Sequence, residues 1–207
     1  MMEHTPERAG PGGDSPGMVP FRFDLSDLVR RSVATLYSHL VTRPTGQALR
    51  LGIESQIGEM GELCLSVLDF TEVVVLDYSC ADEAVAKLLQ RYQRPDRPAN
   101  AYFLARGVGE HHRETLDEVL VRHRLALVAE VAGEGLTLLG VAEPLERRTW
   151  SAVQAAGVAR PDDLPRALGA EAGEVEVALE TLARQRVVVP GLSPGTFHAL
   201  STFLVAD

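Results

Sequence analysis

The sequence is short of basic residues, with 20 Lys and Arg against 29 Asp and Glu for a net charge of −9 over 207 residues. Phosphate binding requires clustered cations that displace counterions, so this balance weighs against a general nucleic-acid coat. Cysteine is scarce too. Cys64 and Cys80 cannot make a disulfide framework, which leaves a reducing cytoplasm as the expected compartment. No stretch approaches the roughly 20 apolar residues needed to span a bilayer, and the first 20 residues lack the apolar centre of a secretory signal. Neither an HExxH motif nor a cysteine-pair motif is present, so no zinc centre is expected. What remains is 45% hydrophobic and 24% charged, the composition of a globular chain that can bury a core.

Residues 1–20, rich in Gly and Pro, are expected to form a disordered tail. Phe21 and Phe23 suggest a short strand. Leu25, Leu28, Val29, Val33, Leu36 and Leu40 then recur at helical spacing, with Ser26 or Asp27 as the cap. Thr42 to Gly46 should break that helix. Leu49, Ile53 and Ile57 mark a second one, ended by Gly58 and Gly61. Leu63–Phe70 and Val73–Asp77 are so apolar that both read as buried central strands. A helix over Ser79–Tyr92, a strand over Ala101–Ala105, a helix over Glu110–His123 and strands over Leu125–Val131 and Leu136–Val141 follow. Alternation of this kind predicts an α/β unit over 21–142 with a largely parallel sheet and packed helices. From 143 to 207 the pattern changes to three helices and a hairpin. The first ends at Gly157, the second is capped by Asp162 and ended by Gly169, and the third spans Ala172–Arg186. Val187–Val189 then pairs with a return through Phe197, Leu200 and Phe203. That is the outline of a small α+β winged helix-turn-helix domain.

The segment Val67-Leu68-Asp69-Phe70-Thr71-Glu72-Val73-Val74-Val75-Leu76-Asp77-Tyr78-Ser79 resembles the core of STAS domains, the fold of bacterial anti-sigma-factor antagonists. There, a strand ending in Asp and an aliphatic strand lead to Asp-Ser-Ser-Gly at a helix start. Asp69 and Asp77 match both acids and Ser79 the second serine. Tyr78 replaces the phosphorylated serine, and Cys80 replaces the glycine. Ser79-Cys80-Ala81-Asp82-Glu83 is similar to STAS-like proteins of unknown function, whose helix opens with Ser and an Asp-Glu pair. The likeness covers about 43–130. It implies a histidine-kinase-like ATPase or another signalling protein as partner, gripping the junction around Ser79. Separately, Asp163 to Gly169 with Val175, Leu179 and Leu182 resembles winged-helix regulators.

Each candidate residue also has a plainer account. Ser79 at a helix N-terminus could carry a phosphate, yet N-capping with Asp82 as a capping-box partner needs only local geometry, and the acids of Asp77, Asp82 and Glu83 would repel the group. Tyr78 is a second acceptor site. Cys80 beside three carboxylates reads as a buried structural thiol, and Arg43 and Gln47 as ligand contacts or solvated surface. Gly107-Val108-Gly109 with Glu130 resembles part of a dinucleotide fingerprint, but His112 stands where the third glycine belongs. Gly191-Leu192-Ser193-Pro194-Gly195 mimics a nucleophile elbow, although Pro194 has no N–H for an oxyanion hole. His111, His112 and His123 lack metal-ligand spacing and read as solvent-exposed.

The third C-terminal helix would be the recognition helix of a DNA-binding protein, but Glu174, Glu176 and Glu180 give it the wrong sign for phosphate. Protein contact fits these acids better. The expected function is therefore a non-enzymatic bacterial regulatory adaptor without cofactor or metal, binding a protein partner through Asp77, Tyr78, Ser79, Asp82, Glu83, Glu174, Glu176 and Glu180. A DNA-binding regulator using Arg147, Arg148 and Arg160, and a nucleotide-binding domain using the Gly107–Gly109 loop, are the alternatives.

Overall fold

Runs of Val, Leu and Ala without polar alternation can form strands only where both faces of a sheet are covered. The computed structural model, which describes residues 30–36, 38–60 and 63–204, shows that arrangement. The central sheet has the order β1 (Arg30–Thr35), β3 (Leu63–Asp69), β5 (Asn100–Val108), β6 (Ala126–Val131), β7 (Gly135–Gly140). The first four are mutually parallel, and β7 returns antiparallel through a turn in which Gly133 and Gly135 take positive φ. The protein is thus a mixed α/β structure with a mainly parallel sheet and packed helices. No helix among the described residues is long and apolar enough to cross a membrane.

Each crossover advances by one strand in the same direction. Because such connections share one hand, their helices fall on one face. These are α1 (Arg43–Met60), then α2 (Tyr78–Ala81), which continues through a π-helical turn (Asp82–Ala86) into α3 (Lys87–Gln93), and α4 (Glu110–His123). Cys64, Leu68, Phe103, Leu127 and Leu139 point into them, meeting Ile57, Leu88 and Leu120.

The opposite face carries the alternate residues Leu65, Val67, Tyr102, Leu104, Val128 and Leu138. It is closed by the C-terminal segment, which begins with α5 (Pro144–Ala156), β8 (Val158–Ala159), a 3₁₀ turn (Pro161–Asp163) and α6 (Pro165–Leu168). It continues with α7 (Ala172–Arg184), β9 (Val188–Pro190), β10 (Phe197–Ala199) and a 3₁₀ turn (Leu200–Phe203). Trp150, Val153, Val175, Leu179 and Leu182 join the sheet residues in one apolar cluster. Strand β10 lies between β8 and β9, antiparallel to both. Arg186, held at φ 62°, reaches from the end of α7 to β5, donating from Nε to Ala101 O at 2.5 Å and lying 4.0 Å over the Tyr102 ring.

The tail over 1–20, the strand at Phe21 and Phe23, and the helix positions 25–29 lie outside the described residues. Val33 to Leu40 is not helical: β1 pairs with β3, and a separate strand β2 (His39–Leu40) follows. Pairing decides there, since Ala34 and Leu36 are buried while Val33 is 46% exposed, a period of two that helical spacing happened to fit. The stretch Arg43 to Gly46 opens α1 instead of breaking a helix, because Pro44 is tolerated in a first turn. Gly58 does not end it.

Val73–Asp77 is no central strand. Only Val75–Leu76 pairs, as β4, in a separate two-stranded parallel ladder with β2 that follows the carboxyl ends of β1 and β3. Asp162 does not cap α6, whose N-cap is Leu164, whereas Gly169 ends it in the left-handed conformation as expected. Leu200 and Phe203 form a 3₁₀ turn after β10 and do not extend the strand.

Candidate functional site

Beyond the carboxyl end of β3 the chain turns at Thr71, crosses to the β2–β4 ladder and enters α2. Asp69 fixes the turn: its Oδ1 accepts from Thr71 N at 3.0 Å and Thr71 Oγ1 at 2.6 Å, and its Oδ2 pairs with Arg106 at 2.6 Å. Burial would raise the Asp69 pKa, but Arg106 and Thr71 outweigh it and hold the carboxyl below its usual value.

The ladder has two faces. Leu40 and Leu76 point into the core, at 1% and 9% exposure, whereas His39, Val41, Val75 and Asp77 alternate to the outside. Val74 is 62% exposed, Val41 42% and Val75 41%, an apolar surface beside the start of α2.

Asp77, not Ser79, is the N-cap. Its Oδ1 accepts from Ser79 N at 2.5 Å, and this bond, together with the Ser79 side chain, lowers its pKa. Ser79 is therefore a half-buried residue of the first turn. Among the described residues the Tyr78 hydroxyl is buried without a partner, and its ring lies under Arg122 at 5.7 Å. Cys80 is fully buried, and burial followed by the Asp77 charge pushes its thiol up to about 11, so it is an inert structural thiol.

Asp82 and Glu83, read from the sequence as partner contacts, are turned inward at the π-helical turn with 8% and 5% exposure. Arg43 Nη1 bridges them, at 3.2 Å to Asp82 and 2.9 Å to Glu83; Lys87 also binds Glu83. His123 Nε2 meets Asp82 Oδ1 at 2.6 Å, and its Nδ1 is 3.0 Å from the Gln90 amide nitrogen. The amide nitrogen can only donate, so Nδ1 accepts and Nε2 carries the proton toward Asp82. Burial opposes ionisation of Asp82, but His123 and then Arg43 hold its carboxyl below the ordinary range. Lys87 does the same for Glu83 against burial, with help from Arg43. This network locks α1, the π turn and α4 together. Gly46 permits the approach of α1, since a Cβ there would stand 2.6 Å from Cys80 O.

Glu174, Glu176 and Glu180 lie on exposed α7, well away from the junction in the chain. Glu174 is committed to a capping box, accepting from Glu171 N at 3.0 Å. Glu176 and Glu180 flank Val177, which is 61% exposed, and form the outward stripe of the helix. Of the cations suspected for DNA contact, Arg147 donates to Leu138 O at 2.7 Å and to Gly140 O, and Arg148 to Leu168 O at 2.8 Å.

Gly107, Gly109 and Glu130 line one hollow of about 580 Å³ with Thr71 and Arg106. The glycines have other duties. A Cβ on Gly107, which takes φ 68°, would stand 2.5 Å from Thr71 Oγ1. Gly109 caps α4 and gives its N–H to His112 Nδ1 at 3.2 Å. Among the described residues the strand order does not reverse between β5 and β6, whereas dinucleotides in open α/β sheets bind where it reverses.

His112 is buried rather than exposed, with Phe70 5.8 Å from it, and burial lowers its pKa with the His111 charge. Among the described residues, no three His, Cys, Asp or Glu side chains gather as a metal site. Gly191 to Gly195 is the β9–β10 hairpin turn, closed by Gly191 N to Thr196 O at 2.8 Å. The inward network of Arg43, Lys87, Gln90 and His123 was missed because helical spacing does not tell which side chains of different helices meet. No protein-family model matches the chain, and no curated protein matches it.

Proposed function

We propose that the protein is a non-enzymatic regulatory adaptor that docks a signalling protein on the outer face of the β2–β4 ladder at the start of α2. The observation that carries this reading is the exposed surface of Val41, Val74 and Val75 beside Asp77. Apolar side chains of this kind favour a partner's apolar surface over solvent. The rigid Arg43–Asp82–His123 network beneath gives the corner a fixed shape, which lowers the entropic cost of docking.

The segment order of a strand ending in Asp69, a short aliphatic strand and Asp77 at a helix start is that of STAS-like domains. It supports a histidine-kinase-like ATPase as the partner class. Residues 144–204 fit a winged-helix arrangement whose third helix presents Glu176, Val177 and Glu180 outward, a surface suited to protein rather than to phosphate. The adaptor is read as cytoplasmic and bacterial.

Affinity capture from the native cell followed by mass spectrometry tests the reading. A partner held by the wild type should be lost from a Val74→Lys/Val75→Lys variant whose melting temperature is unchanged. Undiminished capture by that variant rules out the corner as the docking site, and salt-dependent gel shifts on DNA would replace the adaptor with a DNA-binding regulator.

A further inference from the structure

At the opposite end of the strands, where β3 and β5 begin, a cleft of about 540 Å³ lies between the sheet and the end of α7. Three arginines line it, Arg97, Arg184 and Arg186, with no Asp or Glu among the described residues that line it. That is unexpected in a chain whose acids outnumber its bases by 29 to 20. The ion pairs found among the described residues use none of the three. Arg186 is 8% exposed, and its bonds go to the neutral acceptors Ala101 O and Asn100 Oδ1. Burial lowers its pKa, and the like charge of Arg97 lowers it further.

A buried cation without a counter-charge is costly, and an anion placed beside it recovers part of that cost. Fixing the sheet to α7 accounts for Arg186 alone. Among the described residues, Arg97 bonds to Arg94 O in its own loop and Arg184 to Thr181 Oγ1 in its own helix, so both guanidinium groups can turn toward a ligand. The rest of the wall is mostly apolar, with Leu63, Tyr102, Val189, Pro190 and Leu192, the last 59% exposed, beside the polar Gln93 and Asn100. Concave sites of this size, mostly apolar with a few converging polar groups, suit small molecules and favour the seams between packed units.

We propose that this cleft binds a small amphipathic oxyanion, a carboxylate or phosphate on an apolar body, with Arg97 and Arg184 closing on the anion over Arg186. The ligand spans the seam between sheet and C-terminal segment, so its binding stabilises their union. This site is independent of the docking corner, which lies at the carboxyl end of the strands.

Calorimetry and thermal shift on the intact protein test it with octanoate and phenyl phosphate, against inorganic phosphate and octanol as single-feature controls. At least one amphipathic probe should bind roughly tenfold more tightly than either control and raise the melting temperature. An Arg97→Gln/Arg184→Gln variant, altered only at exposed side chains, should weaken that binding by about tenfold or more, while Arg166→Gln on α6 leaves it unchanged. Failure of both probes to bind, or equal affinity in the double variant, overturns the proposal. Neither result touches the docking reading, whose test uses Val74 and Val75.

Discussion

One face of the central sheet is covered by helices that belong to its own crossovers, whereas the other is covered by a segment that arrives only after the last strand is complete. The first face is therefore closed by contacts between chain neighbours and sealed by ionic bonds among Arg43, Asp82, Glu83 and Lys87, with a hydrogen bond from His123 to Asp82. The second depends on apolar matching with α5 and α7 and on hydrogen bonds from Arg186 to β5 and from Arg147 to β7. Topology explains the division, because crossovers of one hand and one direction can cover only one side.

Removing the second cover is the most severe way to break this comparison. A chain ending at Ala142 would bare Leu65, Val67, Tyr102, Leu104 and Val128 to water. It is expected to aggregate, measured as loss of soluble yield and of a monomer peak in sedimentation. A soluble monomer with a sharp unfolding transition would show that the crossover face suffices alone.

Next in size come Phe103→Ala and Leu104→Ala, adjacent on β5 and directed to opposite faces. Each should cost about 2–5 kcal/mol in urea unfolding. A near-neutral Leu104→Ala would mean that the second face is solvated.

The charge network gives a smaller effect with a definite sign. Asp69, Asp77, Asp82 and Glu83 are all held below their ordinary values in the folded protein. The unfolded chain then binds protons more readily, so their stabilisation is complete above the unfolded range near about 4 and is lost as pH falls through the lower folded values. Asp82→Asn should lower stability by about 1–2 kcal/mol at neutral pH and flatten the acid limb of the curve. An unaltered acid limb would take Asp82 out of the network.

Smallest is the cap. Asp77→Ala should cost about 1 kcal/mol and Ser79→Ala less than about 0.5 kcal/mol. The reverse order would return the cap to Ser79.

Most strands and helices from Leu63 onward were readable, where a period is joined to a stop signal. Glu110–His123 matches its helix to the residue, and Gly157 and Gly169 end theirs as expected. Val33 to Leu40 was not readable, since an edge strand with one inward row can imitate helical spacing until its partner is known. Val73–Asp77 failed for the related reason that apolarity reports neither burial nor pairing. At the candidate site, Asp77 and Ser79 were found at a helix start as the pattern suggested. The inward turn of Asp82 and Glu83 was not legible, because the π turn rotates them toward Arg43 and His123, a register that no local propensity encodes.

The order of the chain also has a consequence during synthesis. Strands β1, β3, β5, β6 and β7 all leave the ribosome before the segment 144–204 that covers their second face. At roughly 5–20 residues per second, that apolar face stays bare for several seconds. Over that interval the nascent chain depends on folding helpers or on dilution, and slow translation of α5 to α7 lengthens its exposure.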